Sequence, residues 1–319
     1  MPGSDLRKLV PVIDGEFPML ESLFVGLSPE EPDKTNLMLP KTIQAPHLRR
    51  LALTNIDLSP VLQMLATSLS LVTLALHEIY FSPNDLLQHL SLLSQLELLT
   101  ISFHNDASNT LIGRQLLDAQ VMTHVTFPNL HLFLFGGTNA YLEVLLSHMT
   151  TPILETLGVQ IFPQVTFSTE NLLQLISTIK HLKLTDADFE FRDTAISVRV
   201  FPDKEAEICA FCLQVPCRHF DKQVSSMVQI LDGFGQVFSP VERLAFACEE
   251  NQWSSGHGEV DPAQWRRLLR SFSNVKTLLV DDTFANELDY DLQPDGEEHP
   301  LESLPELEEL LISSGGYRA

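Results

Sequence analysis

The stretch FPNLHLFLFGGTNAYLEVLLSHMTTPILETLGVQIF, residues 127–162, states one short motif twice. Leu130, Phe133 and Phe135 make the first copy, and Leu154, Leu157 and Val159 repeat it 24 residues later. The last two positions of a copy lie two residues apart, so on a strand both point to one side. The leading Leu, the anchor, stands just before the strand and turns the same way. Between the copies, residues 140–148 carry apolar side chains at helical spacing. One strand and one helix cannot close a core, but stacked copies can.

Searching outward for L-x-x-L-x-φ, with φ apolar, finds about eleven copies. Before the quoted stretch they are Leu20-Leu23-Val25, Leu48-Leu51-Leu53, Leu71-Leu74-Leu76 and Leu96-Leu99-Ile101. After it come Ile179-Leu182-Leu184, a weaker Ile208-Phe211-Leu213, Val241-Leu244-Phe246, Val275-Leu278-Val280 and Leu307-Leu310-Ile312. Anchors recur every 23 to 34 residues, and the shorter intervals match a leucine-rich repeat. Proline stands two residues ahead of the anchor at Pro18, Pro46, Pro128, Pro152 and Pro305, where its missing N–H does no harm. Ser59-Pro60, Ser82-Pro83 and Asp261-Pro262 read as helix starts, each an N-cap followed by proline. Apolar residues at helical spacing follow each of them, as in Trp265-Leu268-Leu269. The expected architecture is α/β: a curved, irregular leucine-rich-repeat solenoid over 17–319, after a cap or linker at 1–16. Parallel strands line its concave face, and helices or irregular segments its convex face. An ordinary α/β domain is the competing architecture, but its strands rarely share an anchor three residues upstream.

If the fourth and sixth repeat positions point inward, the third, fifth and seventh face the concave surface. The candidate partner-binding residues read off this way are Phe24, Arg50, His77, Leu98, Leu132, Leu134, His181, Lys183, Arg243 and Leu279. That strip is poor in carboxylates although the chain carries 42 Asp plus Glu against 20 Lys plus Arg, a net charge of -22. Leu98, Leu132 and Leu134 fall on neighbouring repeats, and grouped exposed apolar residues mark contact sites. The overall charge argues against nucleic acid and anionic membranes as partners. No apolar run approaches the roughly 20 residues of a membrane span.

Four Cys in a chain of 319 residues, and no N-x-S/T sequon, suit a reducing interior, cytoplasmic or nuclear. Cys209, Cys212, Cys217 and His219 could supply four zinc ligands. Yet ICAFCLQV alternates like a strand, which would send Cys209 and Cys212 to opposite faces, so unpaired thiols are expected. Residues 281–310 hold twelve Asp or Glu and no Lys or Arg, and 283–303 reads as an acidic, flexible insertion. Asp289, Asp291, Gln293 and Asp295 faintly follow a calcium loop, whose closing Glu would fall on Pro300. No G-x-S-x-G, Walker loop or H-E-x-x-H occurs, and Gly233-Phe-Gly235 is too short for a dinucleotide fingerprint. The expectation is a non-catalytic protein that uses no cofactor.

Four segments carry a family resemblance: FPMLESLFV (17–25), the opening stretch (127–162), HFDKQVSSMVQI (219–230) and WRRLLRSFSNVKTLLVDD (265–282). In these the chain resembles the leucine-rich-repeat region of F-box proteins from mushroom-forming (basidiomycete) fungi. The resemblance implies the substrate-recognition half of a ubiquitin-ligase adaptor, in which the repeats hold a target protein and an F-box docks the ligase scaffold. The sixteen residues ahead of Phe17 are too few for an F-box, so that scaffold is a partner only if an F-box is supplied elsewhere. The alternative expectation is a ubiquitin-independent scaffold or inhibitor using the same concave face. The repeats also lack the Asn that commonly follows the strand, and carry Ser28, Ile56, Ile79, His104 and Thr138 there.

Overall fold

The computed structural model describes residues 17–26, 44–56, 58–103, 123–162, 169–179, 184–203, 206, 208–217, 219–248, 261–282 and 304–313. The N-terminal segment 1–16, the insertion at 283–303 with its calcium-like spacing, and His181 and Lys183 lie outside them. Residue contacts divide the chain into two compact units, Met1–Glu155 and Thr156–Ala319. Among the described residues no helix is long and apolar enough to cross a membrane.

In the first unit, strands β1 (Ser22–Gly26), β2 (Arg50–Thr54), β3 (Thr73–His77), β4 (Leu98–Ser102) and β6 (Leu132–Gly137) lie side by side, all parallel. The register aligns equivalent motif positions, so Leu51, Leu74, Leu99 and Phe133 form one row and Leu53, Leu76, Ile101 and Phe135 another. Every one of these side chains is buried. Helices α1 (Leu58–Thr67), α2 (Pro83–Leu90) and α3 (Asn139–Leu146) return the chain, and a short parallel pair, β5 (Val125–Thr126) with β7 (Met149–Thr150), flanks them. Ser82 caps α2 by accepting the Asp85 N–H at 3.1 Å. The start expected at Ser59 moves: α1 begins at Leu58, so Ser59 sits within its first turn.

Two backbone devices recur with the motif. The anchor N–H donates to the carbonyl three residues earlier, as in Leu20 to Phe17, Leu48 to Ala45 and Leu154 to Thr151. This is a β-turn with proline at its second position in these three repeats, a site whose φ proline presets. In these repeats proline therefore shapes the approach to the strand as well as keeping clear of the ladder. The residue after the anchor then offers one carbonyl to two N–H groups of the next repeat: Glu21 O takes Arg49 and Arg50, and Arg49 O takes Val72 and Thr73. After the strands, Asn55 and Glu78 adopt positive φ (54° and 56°) and extend the ladder by one bond each. Ile56 and Ile79, standing where Asn is common, are buried instead. Asn129 in one turn and Asn274 in another donate to the Ser94 and Ser239 carbonyls of their preceding turns, at 3.0 and 2.8 Å.

Gly137 closes β6 against an aromatic knot in which Phe103 meets Tyr141 edge-on at 4.9 Å and Tyr80 face-on at 5.5 Å. A Cβ on Gly137 would lie 2.7 Å from the Phe103 ring and 2.8 Å from that of Phe135. Replacing Gly137 with Ala is expected to cost about 1–3 kcal/mol, because both rings are packed and must shift. Urea denaturation of the variant checks this, and an unchanged midpoint would show that the rings yield freely.

The second unit departs from a uniform parallel stack. Its sheet order is β8 (Thr156–Ile161), β11 (Phe211–Pro216), β10 (Ala195–Phe201), β9 (Asp186–Arg192), β12 (Arg243–Cys248), β13 (Thr277–Asp281) and β14 (Glu309–Ser313). Strand β10 runs antiparallel to both neighbours, while β8 with β11 and β9 with β12 are parallel. A three-strand meander therefore sits reversed within an otherwise parallel sheet. Helix α4 (Glu170–Thr178) leads from β8 into it, and α5 (Phe220–Phe234) leads out to β12. Helix α6 (Pro262–Leu269) precedes β13, with Asp261 accepting the Ala263 N–H as expected. Gln223 of α5 secures the meander's end, its Nε2 donating to the carbonyls of Arg192 and Cys217 at 2.7 Å each.

This meander corrects two expected repeats. The Ile179 copy is a frame error: Ile179 caps α4, and Thr185 O accepts Glu242 and Arg243 N–H, as the residue after an anchor does. The true copy is Leu184-Ala187-Phe189, with all three side chains buried. In the weaker copy Phe211 and Leu213 point inward, but the supposed anchor Ile208 is 72% exposed.

Candidate functional site

Among the described residues, the helices of the first unit leave one sheet face uncovered. In the first unit that face carries the third, fifth and seventh motif positions, as the period-2 alternation of a strand requires. Leu98 of β4 and Leu132 of β6 are direct register partners, and Leu134 stands beside Thr100 one step along. Leu134 is 37% exposed, and Leu98 and Leu132 are half-buried. The three leucines thus form one contiguous apolar patch. Phe24, 68% exposed, lies in the same row as Leu134 but on the far strand, with Ala52, Ala75 and Thr100 between. The Arg50 Nε–H donates to Ser22 Oγ at 2.8 Å, and His77 pairs in register with Thr54 and Ser102. No carboxylate occupies these outward positions on β1–β4 or β6.

The second unit's outward strand positions differ from expectation. With β9 starting at Asp186, its outward residues are Asp186, Asp188, Glu190 and Arg192, where His181 and Lys183 were expected. Within this unit's sheet, carboxylates therefore occupy the outward positions of β9. Basic partners answer the carboxylates: Arg243 Nη1 is 3.3 Å from Asp186 Oδ1, and Arg192 and Arg199 reach Glu190 Oε2 at 2.7 and 3.7 Å. Arg243 is thus engaged within its own sheet. Leu279, expected outward, is only 3% exposed, and Ala245 beside it in register is 6% exposed.

Burial pushes the Asp188 carboxyl above its usual range; Arg243 and Arg199 oppose the rise, and Asp186 and Glu190 add to it. A carboxyl with a raised folded pKa contributes stability below its unfolded value, and that contribution is lost as pH climbs through the folded one. Asp188→Asn should therefore melt higher than the parent at neutral pH, with the gap closing as acid protonates Asp188. Thermal melts from about pH 3 to about pH 8 span the window. A variant less stable at neutral pH would mean that pairing with the arginines outweighs desolvation.

The four proposed zinc ligands do not converge. Cys217 follows β11 and its thiol points to the His219 carbonyl at 3.7 Å. It lies five steps along the extended chain from Cys212, about 16 Å at the usual rise. Among the described residues no group of three or more His, Cys, Asp or Glu could hold a metal ion. Cys209 and Cys212 are free thiols, and only the expectation that they face opposite sides is corrected. Cys209 lies ahead of β11, and its thiol is close enough to that of Cys212 for the two to influence each other's titration. The alternation argument failed because the strand begins only at Phe211.

No family profile and no curated protein matches the sequence. Among solved structures, the leucine-rich-repeat-containing protein LegL7 from Legionella pneumophila is similar, with 13% identity and a TM-score of 0.35. That alignment covers 98% of this chain and 88% of LegL7. So distant a likeness adds nothing to what the chain's own repeats establish: an α/β repeat fold with a large, mostly parallel sheet and leucine-rich strands.

Proposed function

We propose that this chain is a non-catalytic protein-binding module that holds its target on the bare sheet face of the first unit. The observation that carries this reading is the Leu98–Leu132–Leu134 patch, three leucines brought together on adjacent strands whose described outward positions hold no carboxylate. Apolar side chains kept at a surface by a rigid sheet are what a partner can desolvate at little entropic cost. Arg50 and His77 along the same face would give a target orientation and a preference for negative charge.

The resemblance of four segments to the repeats of basidiomycete F-box proteins supports a more specific version. In it the target is a substrate delivered to a ubiquitin-ligase scaffold, with an F-box supplied elsewhere. The measurement is quantitative affinity capture with the parent and with the Leu132→Asp/Leu134→Asp double variant. Proteins lost only from the double variant are targets, and ligase scaffold subunits captured with them favour the adaptor. Targets without ligase subunits favour a scaffold or inhibitor independent of ubiquitin. Identical capture by both proteins would overturn the face itself.

A further inference from the structure

We propose that Cys209 and Cys212 are a reversible dithiol–disulfide pair, a modification site oxidised by low-molecular-weight disulfides of the glutathione class. The first ground is geometric. The two thiols lie close enough to shift each other's titration, and the backbone between them is clamped on both sides. The Ala210 N–H donates to the Val200 carbonyl and the Ala210 carbonyl accepts the Leu157 N–H, each at 2.9 Å. Ala210 and Phe211 are buried, so the chain cannot swing the cysteines apart without pulling both residues from the core. The sulfurs themselves remain accessible: both cysteines are half-buried, and the neighbouring Ile208 is 72% exposed.

The second ground is chemical asymmetry. Cys212 stands opposite Arg199 in the β10–β11 register, and the buried Nε of Arg199 has no hydrogen-bond partner among the described residues. The Cys212 S–H donating to the Cys209 sulfur lowers the Cys209 pKa to about 7; burial opposes the shift and Arg199 assists it. The same hydrogen bond, with burial, pushes Cys212 upward. One sulfur is thus the nucleophile near neutral pH and the other holds the proton, the division of labour a resolving pair needs.

The exchange balances in two steps. The Cys209 thiolate attacks one sulfur of RS–SR, forming a Cys209–S–SR mixed disulfide and releasing RS⁻. Cys212 then gives up its proton, which the released thiolate takes, and its sulfur attacks Cys209 Sγ to expel the second RS⁻. Two electrons pass from the protein to the small disulfide, and two equivalents of RSH result once the second thiolate is protonated.

The test incubates the full chain with oxidised glutathione, alkylates the remaining thiols and maps peptides by mass spectrometry. The parent should lose two alkylatable thiols and yield a peptide closed by a Cys209–Cys212 bond. Cys212→Ser should trap one glutathionyl group on Cys209. Cys209→Ser should react at least about tenfold more slowly, because the remaining thiol is mostly protonated. Reactivity of Cys209 in a Cys212→Ala variant should shift to higher pH than in the parent, since the donor that lowers it is gone, whereas the hydroxyl of Cys212→Ser can still donate. The proposal is overturned if the parent keeps four free thiols or joins Cys217 or Cys248. It also fails if the parent accumulates glutathione on Cys209 without closing the ring, or if reaction requires a chelator, which would make the pair a metal site.

Discussion

With Leu132 and Leu134 both replaced by aspartate, the protein is expected to melt within a few degrees of the parent and to lose its target. The asymmetry follows from where the side chains stand. Leu134 is 37% exposed and Leu132 half-buried, on the side of β6 away from the helices, so the fold depends on them weakly. Substitutions at such positions typically change stability by about 1 kcal/mol or less. In a complex the same leucines would be fully desolvated, and a central apolar anchor is worth about 2 kcal/mol or more. Two charges placed there would leave buried, unpaired carboxylates against the partner, so the combined loss is about 4 kcal/mol, roughly a thousandfold in Kd. Leu98→Ala, one strand away, should show a smaller loss of the same kind. A control on the opposite side of β6, Phe133→Ala, should instead unfold the unit, since Phe133 is fully buried.

The repeats are legible in the sequence because their signal is redundant. An anchor, a strand pair and often a proline two residues upstream all mark the same place, and the turn they form recurs in the hydrogen bonds. The misreading at residues 179–184 shows how that redundancy fails. Ile179, Leu182 and Leu184 satisfy the motif by coincidence, while the true copy puts the small Ala187 where a Leu is expected. Local alternation held the missing signal. Ala187, Phe189 and Phe191 answer Ile196, Val198 and Val200 across the two residues Asp193-Thr194, which is the pattern of a hairpin. Reading it would also have exposed the carboxylates of β9 in place of His181 and Lys183. The cysteine contact was beyond pattern reading, since it depends on where β11 begins to within one residue. The apolar patch, by contrast, needed only parallel register, and the motif itself sets that.

Trp265→Ala is expected to be the most damaging single change in the second unit, lowering unfolding free energy by about 3–5 kcal/mol. The sequence marks Trp265 as a helix-core residue by its spacing from Leu268 and Leu269, and the structure shows what it holds together. Its ring meets Phe246 of β12 edge-on at 5.8 Å, Phe191 of β9 at 6.0 Å and Phe220 of α5 at 6.1 Å. Those three elements are the last strand before the hairpin turn, the helix leaving the meander and the first strand beyond it. Deleting the indole therefore opens a cavity beneath the seam where the reversed meander rejoins the parallel strands. Rigid strands on two sides leave little freedom to collapse into that space, which puts the cost at the upper end for such a truncation. Against a typical total of about 5–15 kcal/mol, the loss removes a large share of the margin. Trp265→Phe keeps most of the aromatic contact and should lose about half as much or less. Denaturant titration followed by circular dichroism measures both variants. A Trp265→Ala loss below about 1 kcal/mol would mean that the seam repacks, and that the meander is held mainly by Gln223 and the strand ladders.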